Sequence, residues 1–252
     1  MSVGAAADKG LDFVAWSRED SIPPREADLE PEIWRADVER IERSPDEQAL
    51  QRLLCMRSSW YWLVNWAFTL DEHDAKTPYK RFPPHPYLRE VTQIWWAEDF
   101  TAWPKSRQMV LTWLFALLYL GDAQFRSGRL NVIQSQGRDE AVAVMRRAHV
   151  AWWHQPVWLR TPMMDTDPSQ MEMRFANGST LKVVPAGAKQ IQGYTPSGLL
   201  MDEVALHEEA REAFEAAQAC IAGGGRMTMV SRCDRSWWFD VFLADKVGRE
   251  EA

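Results

Sequence analysis

Trp103-Pro104-Lys105-Ser106-Arg107-Gln108-Met109-Val110-Leu111-Thr112 is the stretch on which the reading of the whole chain turns. A short β-prone run, 99–103, leads into it, and an apolar, helix-compatible run, 112–120, leads out. A strand, a basic turn and then a helix can cradle phosphate, because the first N–H groups of a helix are unpaired and its dipole favours an anion there. The common phosphate loop reads G-x-x-x-x-G-K-[ST]. Aligned on Thr112, the two glycine positions hold Lys105 and Val110, and Leu111 stands where the lysine belongs. Two early cations, Lys105 and Arg107, and the terminal hydroxyl of Thr112 remain. A lysine at the start of such a loop can point back at the phosphates that the usual lysine reaches from its end. Taken alone, the stretch fits a basic turn with no ligand equally well.

Working outward, the same β-then-α rhythm recurs. Residues 130–135 read as a strand and 138–153 as a helix. Residues 171–185 alternate around Asn177-Gly178, a strong hairpin signal. Residues 199–202 form a short apolar strand ending in Asp202-Glu203. A helix over 208–222 then leads through three glycines to a strand, 226–231, that ends in Ser231, with Arg232 and Arg235 just beyond. A last helix is expected over 236–246. Strands that alternate with helices predict an α/β fold: a phosphate-loop-NTPase-like, mostly parallel sheet with helices on both faces and the hairpin as an insertion. Ligands of such sheets bind at the carboxyl ends of the strands. Lys105 and Arg107, Asp202 and Glu203, and Ser231 all fall there. An Asp-Glu pair at a buried strand end suits a magnesium–nucleotide site, the Asp holding the metal shell and the Glu orienting and deprotonating water. An acidic helix cap is the competing reading, since Glu208, Glu209 and Glu212 follow.

Upstream of the loop the organisation differs. Residues 1–24 read as a flexible leader. Residues 25–97 read as a helical region with a Pro-rich loop, and the core runs over 98–252. Ser44-Pro45 splits the first helical stretch, with Ser44 as N-cap and Pro45 in the first turn. The segment 60–70 is expected to continue this helix. Residues 71–89 carry four prolines and exclude regular helix or central strand, and a helix over 88–96 follows. His73 and His85 have no partners at metal-ligand spacing and read as loop histidines.

Composition narrows the classes. Net charge is −7, which argues against a DNA binder that uses its whole surface. The three cysteines, Cys55, Cys220 and Cys233, are widely spaced and read as reduced thiols. No apolar run approaches the ~18–20 residues of a membrane span, and no secretory signal opens the chain. Most of the fourteen tryptophans cluster, as core or interface anchors do.

The order Lys-Ser-Arg-Gln-Met at 105–109, Leu-Leu-Met-Asp-Glu at 199–203 and a strand ending in Ser231 resembles the ATPase domain of the large terminase subunits of tailed bacteriophages. The likeness extends upstream to Asn65-Trp66 and to the Pro-rich entry around Pro83 to Tyr87, and covers roughly residues 55–245. It implies an ATPase with a variant Walker A loop, in which Mg2+ and ATP drive packaging of double-stranded DNA into a procapsid. Lys105 and Arg107 would be the catalytic loop cations and Glu203 the catalytic base. Ser106, Gln108, Met109, Val110, Leu111 and Thr112 would complete the nucleotide-binding loop. Thr112 and Asp202 would hold Mg2+, Ser231 would couple hydrolysis to movement, and Tyr87 with Gln93 would serve the adenine side. The sequence departs from the family at Val110, at Leu111, and at Leu88, where an adenine-recognising glutamine is expected and Gln93 is the nearest substitute.

The same resemblance implies a homo-oligomeric ring on a portal, a small terminase subunit as partner, weak nonspecific DNA contact, no membrane contact, and action in the host cytoplasm without secretion. A neighbouring subunit would lend an arginine finger, worth roughly 10³–10⁵ in rate; Arg138, Arg146, Arg147 and Arg174 are candidates. Full-length members carry a C-terminal nuclease domain, expected to be absent here. Val110 and Leu111 motivate the alternative of a hydrolysis-deficient nucleotide-binding scaffold or assembly module.

Overall fold

In the computed structural model, residues 35–107, 109–164, 169–221 and 223–232 are described. The expected leader, the last expected helix, Gln108 and Cys233 lie outside them.

Three helices open the described chain: α1 (Arg35–Arg43), α2 (Pro45–Arg57) and α3 (Ser59–Trp66). Serine caps set both breaks. Ser44 Oγ accepts from Glu47 N–H at 3.4 Å, and Ser58 Oγ accepts from Tyr61 N–H at 3.0 Å. The helix expected to run on to residue 70 therefore restarts at Ser59 and ends at Trp66. Beyond it, β1 (Phe68–Leu70) pairs antiparallel with β2 (Tyr79–Arg81). This small ribbon has no clear sequence signal, since β2 is three residues set among prolines. The prolines still exclude it from the main sheet. Next comes α4 (Pro86–Ala97), with Pro86 in its first turn.

The central sheet has the order β3-β8-β7-β4-β6-β5. Its strands are β3 (Phe100–Lys105), β4 (Leu130–Ser135), β5 (Glu172–Arg174), β6 (Thr180–Pro185), β7 (Gly198–Asp202) and β8 (Arg226–Arg232). All neighbours are parallel except β5, which runs antiparallel to β6 at the far edge. The expected hairpin is present, and its second strand is a full member of the sheet, parallel to β4. Pro104 sits within β3, an edge strand, where a missing N–H costs little.

The helices α5 (Leu111–Phe125), α6 (Arg138–His154), α7 (Lys189–Gln192) and α8 (Ala210–Ile221) connect the strands. Alternate residues of each strand face two separate cores, as a period of two requires. Ile133, Val183, Leu200 and Val230 pack in one core with α2 to α6. Val132, Val184, Leu199, Met201, Met227 and Met229 pack in the other with α7 and α8. Helices thus cover both faces.

Two contacts fix α5, the helix that follows the basic turn. The helix runs past the expected 112–120 and through Gly121, which lies against Trp62: a Cβ there would stand 3.1 Å from the indole. At Gly198 a Cβ would stand 2.5 Å from the Tyr119 ring, so only glycine lets α5 approach β7 this closely. The Tyr119 hydroxyl donates to the Leu199 carbonyl at 2.9 Å across that seam. At the other end of α5, the Asn177 side-chain amide donates to the carbonyls of Ala123, Gln124 and Arg126, so the hairpin turn caps the helix. No helix of the described residues is long and apolar enough to cross a membrane.

Candidate active site

Parallel pairing brings the carboxyl ends of β3, β8 and β7 to one edge of the sheet. Lys105 is in register with Arg232, Pro104 with Ser231, and Asp202 with Val230. β3 extends two residues further than expected, through Pro104 and Lys105, so the strand itself delivers the lysine.

At this edge four side chains form one chain of contacts. Lys105 Nζ lies 2.9 Å from Glu203 Oε1 and donates to Thr112 Oγ1 at 2.9 Å. Thr112 Oγ1 in turn donates to Asp202 Oδ1 at 3.0 Å. The lysine side chain is only 11% exposed and Asp202 only 4%. Burial pushes the Asp202 carboxyl above its ordinary range, and the charge of Lys105 works against that push.

Glu203 has φ 54°, a left-handed backbone that is uncommon outside glycine. This conformation ends β7 abruptly and turns the chain into a short 3-10 segment, Val204–Leu206. The second Glu203 oxygen, Oε2, is buried and accepts no hydrogen bond from a described residue; Arg232 Nε lies 3.8 Å from it. Ser231 is fully buried, and its hydroxyl accepts from Ala205 N–H at 3.0 Å. The end of β8 is thereby tied to the segment that follows the two acids. His207, which sequence reasoning missed, bonds the Asp202 carbonyl through Nε2 at 2.9 Å. A carbonyl only accepts, so Nε2 carries the proton; burial lowers the His207 pKa.

The turn before α5 keeps the backbone of a glycine where the sequence has valine. Val110 has φ 58° and ψ 4° and stands at the N-cap, where its carbonyl accepts from Leu114 N–H at 2.9 Å. A β-branched residue there costs on the order of 1–3 kcal/mol. Leu111 turns inward and is buried in the core. Its side chain is thus withdrawn from the loop surface, and of Leu111 only the backbone N–H can meet a ligand. Ser106 and Arg107 are exposed.

Tyr87, at the start of α4, donates its hydroxyl to the Met109 carbonyl at 3.0 Å and stacks on His85. It braces the loop from the side. Gln93 is half-buried, roughly 9 Å further along α4. Leu88 is fully buried, so the position where the family resemblance expects a glutamine serves the core.

Among the arginines considered as fingers, Arg138, Arg146 and Arg174 are exposed. Arg147 is half-buried, with its guanidinium carbon 5.7 Å from the centre of the Trp113 ring in the same chain.

No protein-family model matches the sequence, and no curated protein matches it. Solved structures do resemble it. The large terminase of bacteriophage HK97 superposes with a TM-score of 0.56 at 15% identity, covering 72% of this chain and 40% of the HK97 chain. The large terminase ATPase domain of Thermus phage P74-26 gives 0.48 at 16% identity, covering 64% of this chain and 70% of that one. The large terminase of another thermophilic bacteriophage, solved in complex with ATP-γ-S, gives 0.35 at 18%, covering 58% and 35%. The match thus spans about two-fifths of the HK97 protein's length, and at these identities the likeness is one of fold.

Proposed function

We propose that this chain is the ATPase motor domain of a large terminase subunit, hydrolysing ATP with Mg2+ to move double-stranded DNA into a procapsid. The observation that carries the proposal is the contact of Lys105 with both Thr112 and Glu203, while Thr112 also holds Asp202. A cation, a hydroxyl and two acids from three separate elements meet at the edge of the sheet where nucleotides bind. The terminase-like fold supports the same reading.

In this account Lys105 neutralises the phosphates from the start of the loop, in place of the late lysine that Leu111 replaces. The N–H groups of the first turn of α5 and the exposed Arg107 complete the cradle. The donor set fits magnesium: a carboxylate and a hydroxyl, both hard oxygens, lie in contact, and this metal takes few protein ligands beside substrate phosphates. When bound, Mg2+ would offset the charge that develops on the transferring phosphoryl group. Glu203 Oε2, buried and without a donor among the described residues, is the oxygen suited to orient water and accept its proton. Ser231 links β8 to the segment after the acids, which suits a coupling role. The net charge of −7 points to weak, salt-sensitive DNA contact by one domain, with a subunit ring, a portal and a small subunit supplying the rest in the host cytoplasm.

Val110 and Leu111 favour a second reading, a scaffold that binds nucleotide without hydrolysing it. Calorimetric titration with ATP and Mg2+, paired with a phosphate-release assay in the presence of DNA, separates the two. Binding with DNA-stimulated release supports the motor. Binding without release, under conditions where rings form, supports the scaffold.

A further inference from the structure

A cavity of about 270 Å³ opens between α6, the first turn of α5 and the loop after β1. Trp113, Arg146, Arg147, Glu72 and His73 line it. Trp113 is the residue after Thr112 in the first turn of α5. Arg147 reaches it from the third turn of α6. Side chains on a helix lean toward its N-terminus, which here directs the guanidinium to the carboxyl ends of the strands.

Arg147 makes no hydrogen bond or ion pair with any described residue, although it is half-buried and flanked by Trp113. Five donors in a fixed fork, partly desolvated and unmatched, are suited to an oxyanion. The acids whose charge it feels are Asp202 and Glu72. In sheet order Lys105 approaches Asp202 from β3, on one side, whereas α6 packs over β4 and β6 on the other. The two cations thus come from elements on opposite sides of β7.

We infer that Arg147 is a phosphate-contacting residue of its own protomer's site, meeting the terminal phosphate of a nucleoside triphosphate across from Lys105. The inference rests on the nucleotide-site reading above. It separates the half-buried Arg147 from Arg138, Arg146 and Arg174, which are exposed.

The test is calorimetric titration of the full chain with Mg2+ and either ATP-γ-S or ADP, at a dilution where light scattering reports a monomer. Wild type, Arg147→Ala and Arg147→Lys are compared. The expected result is a roughly 10- to 100-fold loss of ATP-γ-S affinity in Arg147→Ala, the worth of one charge-assisted hydrogen bond or a pair of them. ADP affinity should stay within about twofold of wild type, and lysine should restore part of the loss. Unchanged ATP-γ-S affinity in the monomer overturns the assignment, and so does an equal loss for both nucleotides, which would mark a structural residue. Wild type that binds neither nucleotide overturns the nucleotide-site reading itself.

Discussion

The ammonium of Lys105 and the carboxylate of Glu203 are in direct contact, Nζ to Oε1 at 2.9 Å, although one ends β3 and the other follows β7, with β8 between them. The contact has two consequences. It holds the acid pair near a cation, and it occupies the lysine with a partner that a phosphate must displace. Lys105→Met leaves Glu203 and the buried Asp202 without this cation, whereas Lys105→Met with Glu203→Gln removes charge from both ends. The single change should therefore destabilise more than the double. A coupling of about 1–3 kcal/mol is expected from the four denaturation midpoints of the cycle. Strict additivity would mean that the contact contributes nothing.

Val110 offers a test of backbone strain that is free of side-chain packing. Alanine and glycine both remove the isopropyl group, so they differ only in how each tolerates φ 58°. In ordinary helical positions alanine is the more stable. Here Val110→Gly should exceed Val110→Ala by about 1 kcal/mol in urea unfolding. The ordinary order, alanine above glycine, would show that the left-handed turn is not kept in solution.

Gly198 ties the fold to the site, since it lets the helix bearing Thr112 lie on the strand bearing Asp202. A methyl group at 198 would meet Tyr119 at 2.5 Å and Asn131 Oδ1 at 2.8 Å. Gly198→Ala should destabilise by about 1–3 kcal/mol through overpacking and weaken ATP affinity as Thr112 and Asp202 separate. A variant of wild-type stability and affinity would show that the seam is looser than this contact implies.

Burial raises the Asp202 pKa in the folded state above the ordinary value of 3.8. The sign is opposite to that of a salt-bridged surface acid. A raised carboxyl pKa means that folding favours the protonated form, so the penalty is full above the folded pKa and is relieved as pH falls through it toward 3.8. Asp202→Asn carries no such penalty. Without nucleotide, the stability of the asparagine variant relative to wild type should therefore rise with pH over this window. A difference that is flat with pH, or falls, would contradict the assignment of burial as the leading cause.

Much of this architecture is legible along the chain because its signals are local. Ser44 and Pro45 mark a helix start wherever they occur, and Asn177-Gly178 marks a hairpin. The apolar runs Leu199 to Met201 and Met227 to Val230 fit strands buried on both faces. Strand ends that carry Lys105, Asp202, Glu203 and Ser231 can be brought together by one rule, that parallel strands point their carboxyl ends the same way. The misreadings have distant causes. The helix after the basic turn reads as ending at Leu120 because Trp62, the partner of Gly121, lies far upstream. The β1–β2 ribbon is too short to leave a pattern. Leu111 groups with its neighbours in the loop, and only the rotation of α5 turns it into the core. Arg147 and His207 carry no motif at all, and each gains meaning from a residue on another element.

The central claim is that Glu203 handles the attacking water while Lys105, Thr112 and Asp202 hold the triphosphate. Its most direct test is steady-state ATP turnover with Mg2+ and DNA for wild type and Glu203→Gln, at protein concentrations where rings form and with ATP binding measured in parallel. Removal of a general base should cut turnover by roughly 10²–10⁴ while ATP affinity changes by no more than a few-fold. Turnover by the glutamine variant equal to that of wild type would contradict the account.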